Sequence, residues 1–284
     1  EHQGHGRIAT SQLLITLPLA LRLLAAATVW LLHPVDPLRD YAWGYLGASA
    51  LALAAATLSL HQPWPALRDW RLPQLAELRH AAGYAVLNLT ATGPAELDKT
   101  LALKLLPLAA VGVYAAGARV IGALTLPVVA MLLSALPRLF REGQDQPKRT
   151  AHLLRWIFAA ALGYSVALAV LLWFIAPVFV WVFGAKYHGI EHMIHWLCLA
   201  MPGMALRMAA GSILMALGKP LMRVGFEVTG LVVLVVAALV LTAHFGIAGM
   251  PLALMCAEWT MAAIGSVMVW LPKRHFTFDF DAQR

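Results

Sequence analysis

Charge is scarce in this chain. Asp, Glu, Lys and Arg together make up 12% of its 284 residues, against about 25% in soluble domains. Hydrophobic residues make up 61%, more than a water-soluble fold can cover with a polar shell. The solvent for most of the chain is therefore lipid, and a soluble catalytic domain larger than a loop is excluded. Cysteine is almost missing: Cys198 and Cys256 both fall in apolar runs, which excludes a disulfide framework. No P-loop, dinucleotide fingerprint or Ser/His/Asp arrangement occurs in a usable context, so an ATP-driven pump and an enzyme both lack their machinery. No metal or cofactor is expected. The net charge of +7 does not point to nucleic acid, because the charges sit in short loops between spans. The opening run from Glu1 is polar, begins without Met and has no signal-peptide pattern, so the chain is expected to be a piece of a longer protein.

Apolar runs take up most of the chain. They fall at 11–32, 41–60, 81–103, 109–136, 152–181, 194–217, 224–243 and 247–271. A run of 22 helical residues reaches about 33 Å, enough for a hydrocarbon layer of about 30 Å. The expectation is an all-α, polytopic transmembrane bundle of about eight spans. Lys and Arg collect on one side of it: Arg68 and Arg71, Arg138 and Arg141, Lys219 and Arg223, Lys273 and Arg274. The other side holds Arg39, Lys186 and at most Lys99 and Lys104. This bias puts both termini in the cytoplasm, as an even number of spans requires. Trp30, Trp43, Trp156, Trp181, Trp196 and Trp270 fall near span ends, where an aromatic belt would hold them.

Charges inside the spans point to function. Arg22, Arg119 and Arg207 lie well within apolar runs, as do Glu227 and Glu258, while Asp98, Lys99 and Lys104 sit at the far end of the third. A charge at the bilayer centre costs about 2.5–3.5 kcal/mol on insertion scales, so such residues face a bundle interior or a wet cavity. One reading is internal pairing, Arg207 with Glu227 or Arg119 with Glu258, to lock helices together. The other is a cationic lumen for a phosphate-bearing substrate, which the planar donor fork of arginine suits. Gly93-Pro94 should break or kink the third span, and Pro127 and Pro137 raise the same question for the fourth. Discontinuous helices often line transport sites. His188, Glu191 and His192 fit H-x-x-E-H, with His195 following. Gly189 interrupts the motif, however, so an interfacial turn with exposed histidines is expected in place of a zinc site.

From the third span onward the residues resemble a family. Asp98-Lys99, Val111-Gly112-Val113-Tyr114-Ala115-Ala116, Arg119, Pro127 and Pro137-Arg138 follow one another as in polysaccharide and O-antigen flippases of the multidrug/oligosaccharidyl-lipid/polysaccharide exporter superfamily. Further matches come in order: Phe183-Gly184-Ala185-Lys186-Tyr187, then Leu214 to Lys219, then Gly246 to Ala253. The resemblance implies a twelve-helix fold of two lobes. This chain would supply the last two helices of the first lobe and a linker (1–77) and the whole second lobe (78–284).

The resemblance also implies export of an undecaprenyl-pyrophosphate glycan across the bacterial inner membrane by alternating access. Arg22, Arg119, Arg207, Lys99 and Lys104 would contact the pyrophosphate or an acidic sugar. Asp98, Glu227 and Glu258 would serve coupling or pairing. Candidate partners are the lipid-linked oligosaccharide, membrane lipids, and a glycan polymerase with its chain-length machinery. A drug or metabolite antiporter of the same superfamily is the alternative, and it would favour acidic lumen residues. A membrane enzyme on prenyl-linked sugars lacks the large outer loop that class uses, and a non-transporting scaffold is favoured only by the absent helices.

Overall fold

A computed structural model describes residues 8–32, 35–59, 74–145 and 147–270. Among these residues every regular element is helical. They divide into two compact units, one ending at Pro73 and the other starting at Gln74.

The first unit is a helical hairpin of α1 (Ile8–Leu32) and α2 (Pro37–Leu58). The sequence starts α2 with three consistent signals: Asp36 accepts a hydrogen bond from the Arg39 amide at 3.3 Å, Pro37 occupies the first turn, and Asp40 follows there. Gly44 lets α1 approach, since a Cβ there would stand 2.9 Å from the Cβ of Ala25.

The second unit holds α3 (Leu75–Leu105), α4 (Leu108–Asp145), α5 (Pro147–Phe183), α6 (Ile190–Cys198), α7 (Met201–Ala216), α8 (Pro220–Phe245) and α9 (Gly249–Trp270), with 3₁₀ turns at Ala185–Tyr187 and Gly246–Ala248. Among the described residues, with α6 and α7 counted as one bent pair, eight helical stretches lie at the positions of the eight apolar runs. The passes are not equally apolar. Pro37–Leu58, Leu108–Leu132, His152–Phe183 and the α8–α9 segment Pro220–Trp270 are long and apolar enough to cross a bilayer by themselves. The described apolar stretch of α1, Thr16–Leu32, is shorter, and α3 carries Glu96, Asp98, Lys99 and Lys104.

The break expected at Gly93-Pro94 is absent, because α3 runs unbroken through it. Helices surrounded by other helices tolerate an internal proline where neighbours take up the freed backbone groups. Gly93 instead brings α8 close, with the Leu231 methyls 3.5 Å from where its Cβ would stand. α4 likewise continues past Pro127. The bent span is the sixth: α6 and α7 meet at 43° across Leu199–Ala200. Pro202 in the first turn of α7 has no amide to continue the hydrogen-bond ladder of α6.

α7 is the centre of the second unit and packs on α4, α5, α8 and α9. Half of its buried positions are Gly or Ala: Gly203, Ala205, Ala209, Ala210 and Gly211. Small residues let helix backbones approach in a medium that offers no hydrophobic drive between them. At Gly203 the approach is to backbone, since a Cβ there would lie 3.1 Å from the Glu258 carbonyl carbon and the Trp259 amide of α9. Gly203→Ala is therefore expected to push α7 from α9 and to cost about 1–3 kcal/mol, as overpacking does. Thermal unfolding in detergent should show a lowered midpoint, and an unchanged midpoint would mean that the α7–α9 contact has slack. On the outside, large apolar side chains stand exposed along whole helices, among them Leu171, Phe174, Val182, Val236 and Leu239. In water such faces would aggregate, whereas in a bilayer they are the surface that meets lipid.

Candidate functional site

Three ionic or polar pairs lie inside the second unit, two set by helix packing and one by the turn of a single helix. Where α3 ends against α4, Asp98 is buried and accepts a hydrogen bond from the Tyr114 hydroxyl at 2.9 Å. Its other oxygen accepts from the Lys99 amide at 2.6 Å. The Lys99 ammonium turns away and pairs with Glu96 at 3.1 Å, on the exposed side of α3. Asp98 is thus held by two hydrogen bonds and forms no ion pair among the described residues. An uncompensated acid at such a place is a functional feature by default.

The second pair joins α7 to α9. Arg207 Nε donates to Glu258 Oε2 at 2.7 Å, with both side chains buried. The third lies within α8, where Arg223 Nε donates to Glu227 Oε1 at 2.9 Å across one helical turn. Gly211 makes room for it, since a Cβ there would stand 3.2 Å from Arg223 Nε. The pairings differ from those read off the sequence: Arg207 meets Glu258 and not Glu227, while Arg119 meets neither acid. Arg223 was read only as a loop cation. Its spacing of four from Glu227 on a helix is the signal that would have found the pair.

Between α4, α7 and α8 lies a cavity of about 200 Å³ lined by Arg207, Ser212, Arg223 and Glu227, with Leu132 and Met208 on its apolar side. Both salt-bridged arginines border it. Glu227 Oε2 is buried and has no hydrogen-bond partner.

The remaining sequence candidates lie elsewhere. Arg119 on α4 and Lys104 at the end of α3 are exposed. Arg22 belongs to the first unit, where its guanidinium lies 4.1 Å from the centre of the Tyr45 ring. Its Nε is buried without a partner. The H-x-x-E-H run does not share a helix, because His188 ends the 3₁₀ turn and α6 starts after Gly189. His192 accepts from Trp196 Nε1 at 2.9 Å, and His195 stacks on Trp173 with ring centres 4.5 Å apart. Among the described residues no group of three or more His, Cys, Asp or Glu side chains is placed to hold a metal ion. Of the loop cations, Arg68, Arg71, Lys273 and Arg274 lie outside the described residues.

Comparison with known proteins adds to this geometry. A family profile described as MatE matches residues 86–241. No curated protein matches the chain. Several solved structures do. One is a mutant of the Vibrio cholerae MATE transporter VcmN, 17% identical, with a TM-score of 0.63 over 90% of this chain and 60% of that one. Another is an inward-facing multidrug resistance MATE family transporter of the MOP superfamily, 14% identical, with a TM-score of 0.76 over 94% and 65%. A third is a MOP superfamily transporter from Pyrococcus furiosus whose reversed pocket polarity is described as suggesting a different function. It is 15% identical, with a TM-score of 0.64 over 94% and 63%. The chain spans less than two thirds of the length of each of these structures, and at such identities they carry the fold alone.

Proposed function

This chain belongs to the MatE family, and from that premise we propose that it serves in an integral membrane transporter that exports a drug-like or metabolite cation in exchange for a coupling cation. The observation that carries this reading is the sign of what the second unit buries. Asp98, Glu227 and Glu258 are buried, whereas Arg207 is the one buried cation among the described residues and is bound to an acid. A lobe that buries acids in excess of bases attracts cations through its low-dielectric walls. Asp98, held without an ion pair, is the group best suited to take up the coupling ion. Family membership also fits the expectation that the chain is not an enzyme. We place the protein in a bacterial inner membrane with both termini cytoplasmic, on the strength of the Lys and Arg bias.

Export of a lipid-linked oligosaccharide is the second reading. One observation favours it: Arg119 and Lys104 are exposed and form no ion pair among the described residues, so both are free to meet a pyrophosphate. A glycan polymerase and chain-length machinery belong to that reading as partners. Vesicles containing the protein separate the two. With a proton or sodium gradient imposed, transport of ethidium and flipping of a prenyl-pyrophosphate glycan are measured side by side. Gradient-dependent ethidium transport without glycan flipping is expected, and the opposite outcome would replace the first reading by the second.

A further inference from the structure

The cavity between α4, α7 and α8 has a chemistry that cation export leaves unused. Its cationic donors come from two helices, Arg207 on α7 and Arg223 on α8. Each uses Nε on its own glutamate. The terminal guanidinium nitrogens form no hydrogen bond among the described residues and remain for an acceptor. The opposite need stands beside them, because buried Glu227 Oε2 has no donor. A buried acceptor left without a partner costs about 1–3 kcal/mol, and a native interior retains such a group where a ligand or water supplies the missing bond. The pocket's charged groups, with Glu258, sum to zero. Ser212 adds a hydroxyl, and Leu132 and Met208 add an apolar wall.

We propose that this cavity binds a small zwitterion, an α-amino acid with a short apolar side chain. Its carboxylate meets the free ends of the Arg207 and Arg223 guanidiniums, which suit a planar oxyanion. Its ammonium supplies Glu227 Oε2 with the missing donor. Its side chain lies against Leu132 and Met208. A bare anion would leave Glu227 unsatisfied, and a bare cation would leave the guanidiniums unused. The volume of about 200 Å³ exceeds a single water's share of about 30 Å³ several times over, enough for a ligand of this size. The proposal goes beyond the cation-export reading and rests on it for the membrane setting only.

The test is binding, measured by calorimetry on the protein in detergent with four probes: L-valine, valinamide, isovalerate and inorganic phosphate. Valine is expected to bind. Valinamide, which lacks the carboxylate, and isovalerate, which lacks the ammonium, are each expected to bind at least about tenfold more weakly, as when one partner of a buried charged hydrogen bond is removed. Phosphate should not compete. Glu227→Gln keeps the shape and removes the charge, so it should weaken valine about tenfold and leave isovalerate as it was. The analogue series on the native protein decides the matter even if that variant folds poorly. Isovalerate or phosphate binding as tightly as valine overturns the proposal, and so does an absence of valine binding. Ethidium transport without valine binding sinks this inference alone, and valine binding without transport sinks the transport reading alone.

Discussion

Replacing Arg207 with alanine is expected to destabilise the second unit by about 3–5 kcal/mol, the cost of leaving one member of a buried pair without the other. The partner left behind is Glu258, which is 1% exposed and placed on α9 by packing against α7. α7 and α9 approach closely beside it, since a Cβ added at Gly203 would stand 3.1 Å from the backbone atoms of Glu258 and Trp259. Replacing both residues at once is expected to behave differently. Arg207→Met with Glu258→Leu removes the desolvation cost together with the attraction, and buried pairs exchanged for apolar residues of similar volume are often neutral or more stable. The double variant should therefore recover most of the loss. Equilibrium unfolding in mixed micelles measures both. Equal losses in the single and the double variant would show that the pair contributes net attraction beyond its own burial, and a harmless single variant would show that Glu258 finds another partner. The double variant also removes one of the cavity's two arginines, so it should lose valine binding while staying folded.

The helical passes were legible because their signal is cumulative. Each apolar run adds about 20 residues of one character, and loop cations separate the runs. The pairing of charges was not legible, for a geometric reason. Arg207 and Glu258 are 51 positions apart, and only the contact of α7 with α9 brings them together. Depth in a span also does not say which way a side chain points. Arg119 and Arg207 look alike in the sequence, both well inside apolar runs, yet one is exposed on α4 and the other is buried in the centre of α7. At Gly93-Pro94 the break, one of the two outcomes expected there, does not occur. Proline breaks a solvated helix through a lost hydrogen bond and a steric clash, but α3 packs on α4, α8 and α9 and stays whole. The bend that does occur is seeded by Pro202, inside what reads as one continuous apolar run. Sequence spacing carries a usable signal where the interaction is local, as in the missed pair of Arg223 and Glu227, four residues apart. It was silent where the fold chooses the neighbour.

Asp98→Asn is expected to uncouple transport. The substitution keeps the size of the side chain and an oxygen to accept from the Tyr114 hydroxyl, so the contact of α3 with α4 survives. It removes the negative charge, and with it the site for a proton or a small cation. Coupling between two ligands on one transporter is commonly worth about 1–3 kcal/mol, or about 5–150-fold. Gradient-driven accumulation of ethidium in vesicles should therefore fall at least about tenfold, while its equilibrium binding to the detergent-solubilised protein changes little. Tyr114→Phe removes one hydrogen bond and keeps the charge. It leaves Asp98 with the Lys99 amide alone, so its effect should be smaller and should appear in the ion dependence and not in the maximal rate. The contrast tests the role of the charge as distinct from packing, because a merely structural Asp98 predicts that both variants lose stability and transport together. Undiminished accumulation in Asp98→Asn would move the coupling ion to Glu227, a buried acid with one oxygen left without a partner. In that case valine and the coupling ion would compete for one carboxylate, and valine would inhibit ethidium transport at the concentrations at which it binds.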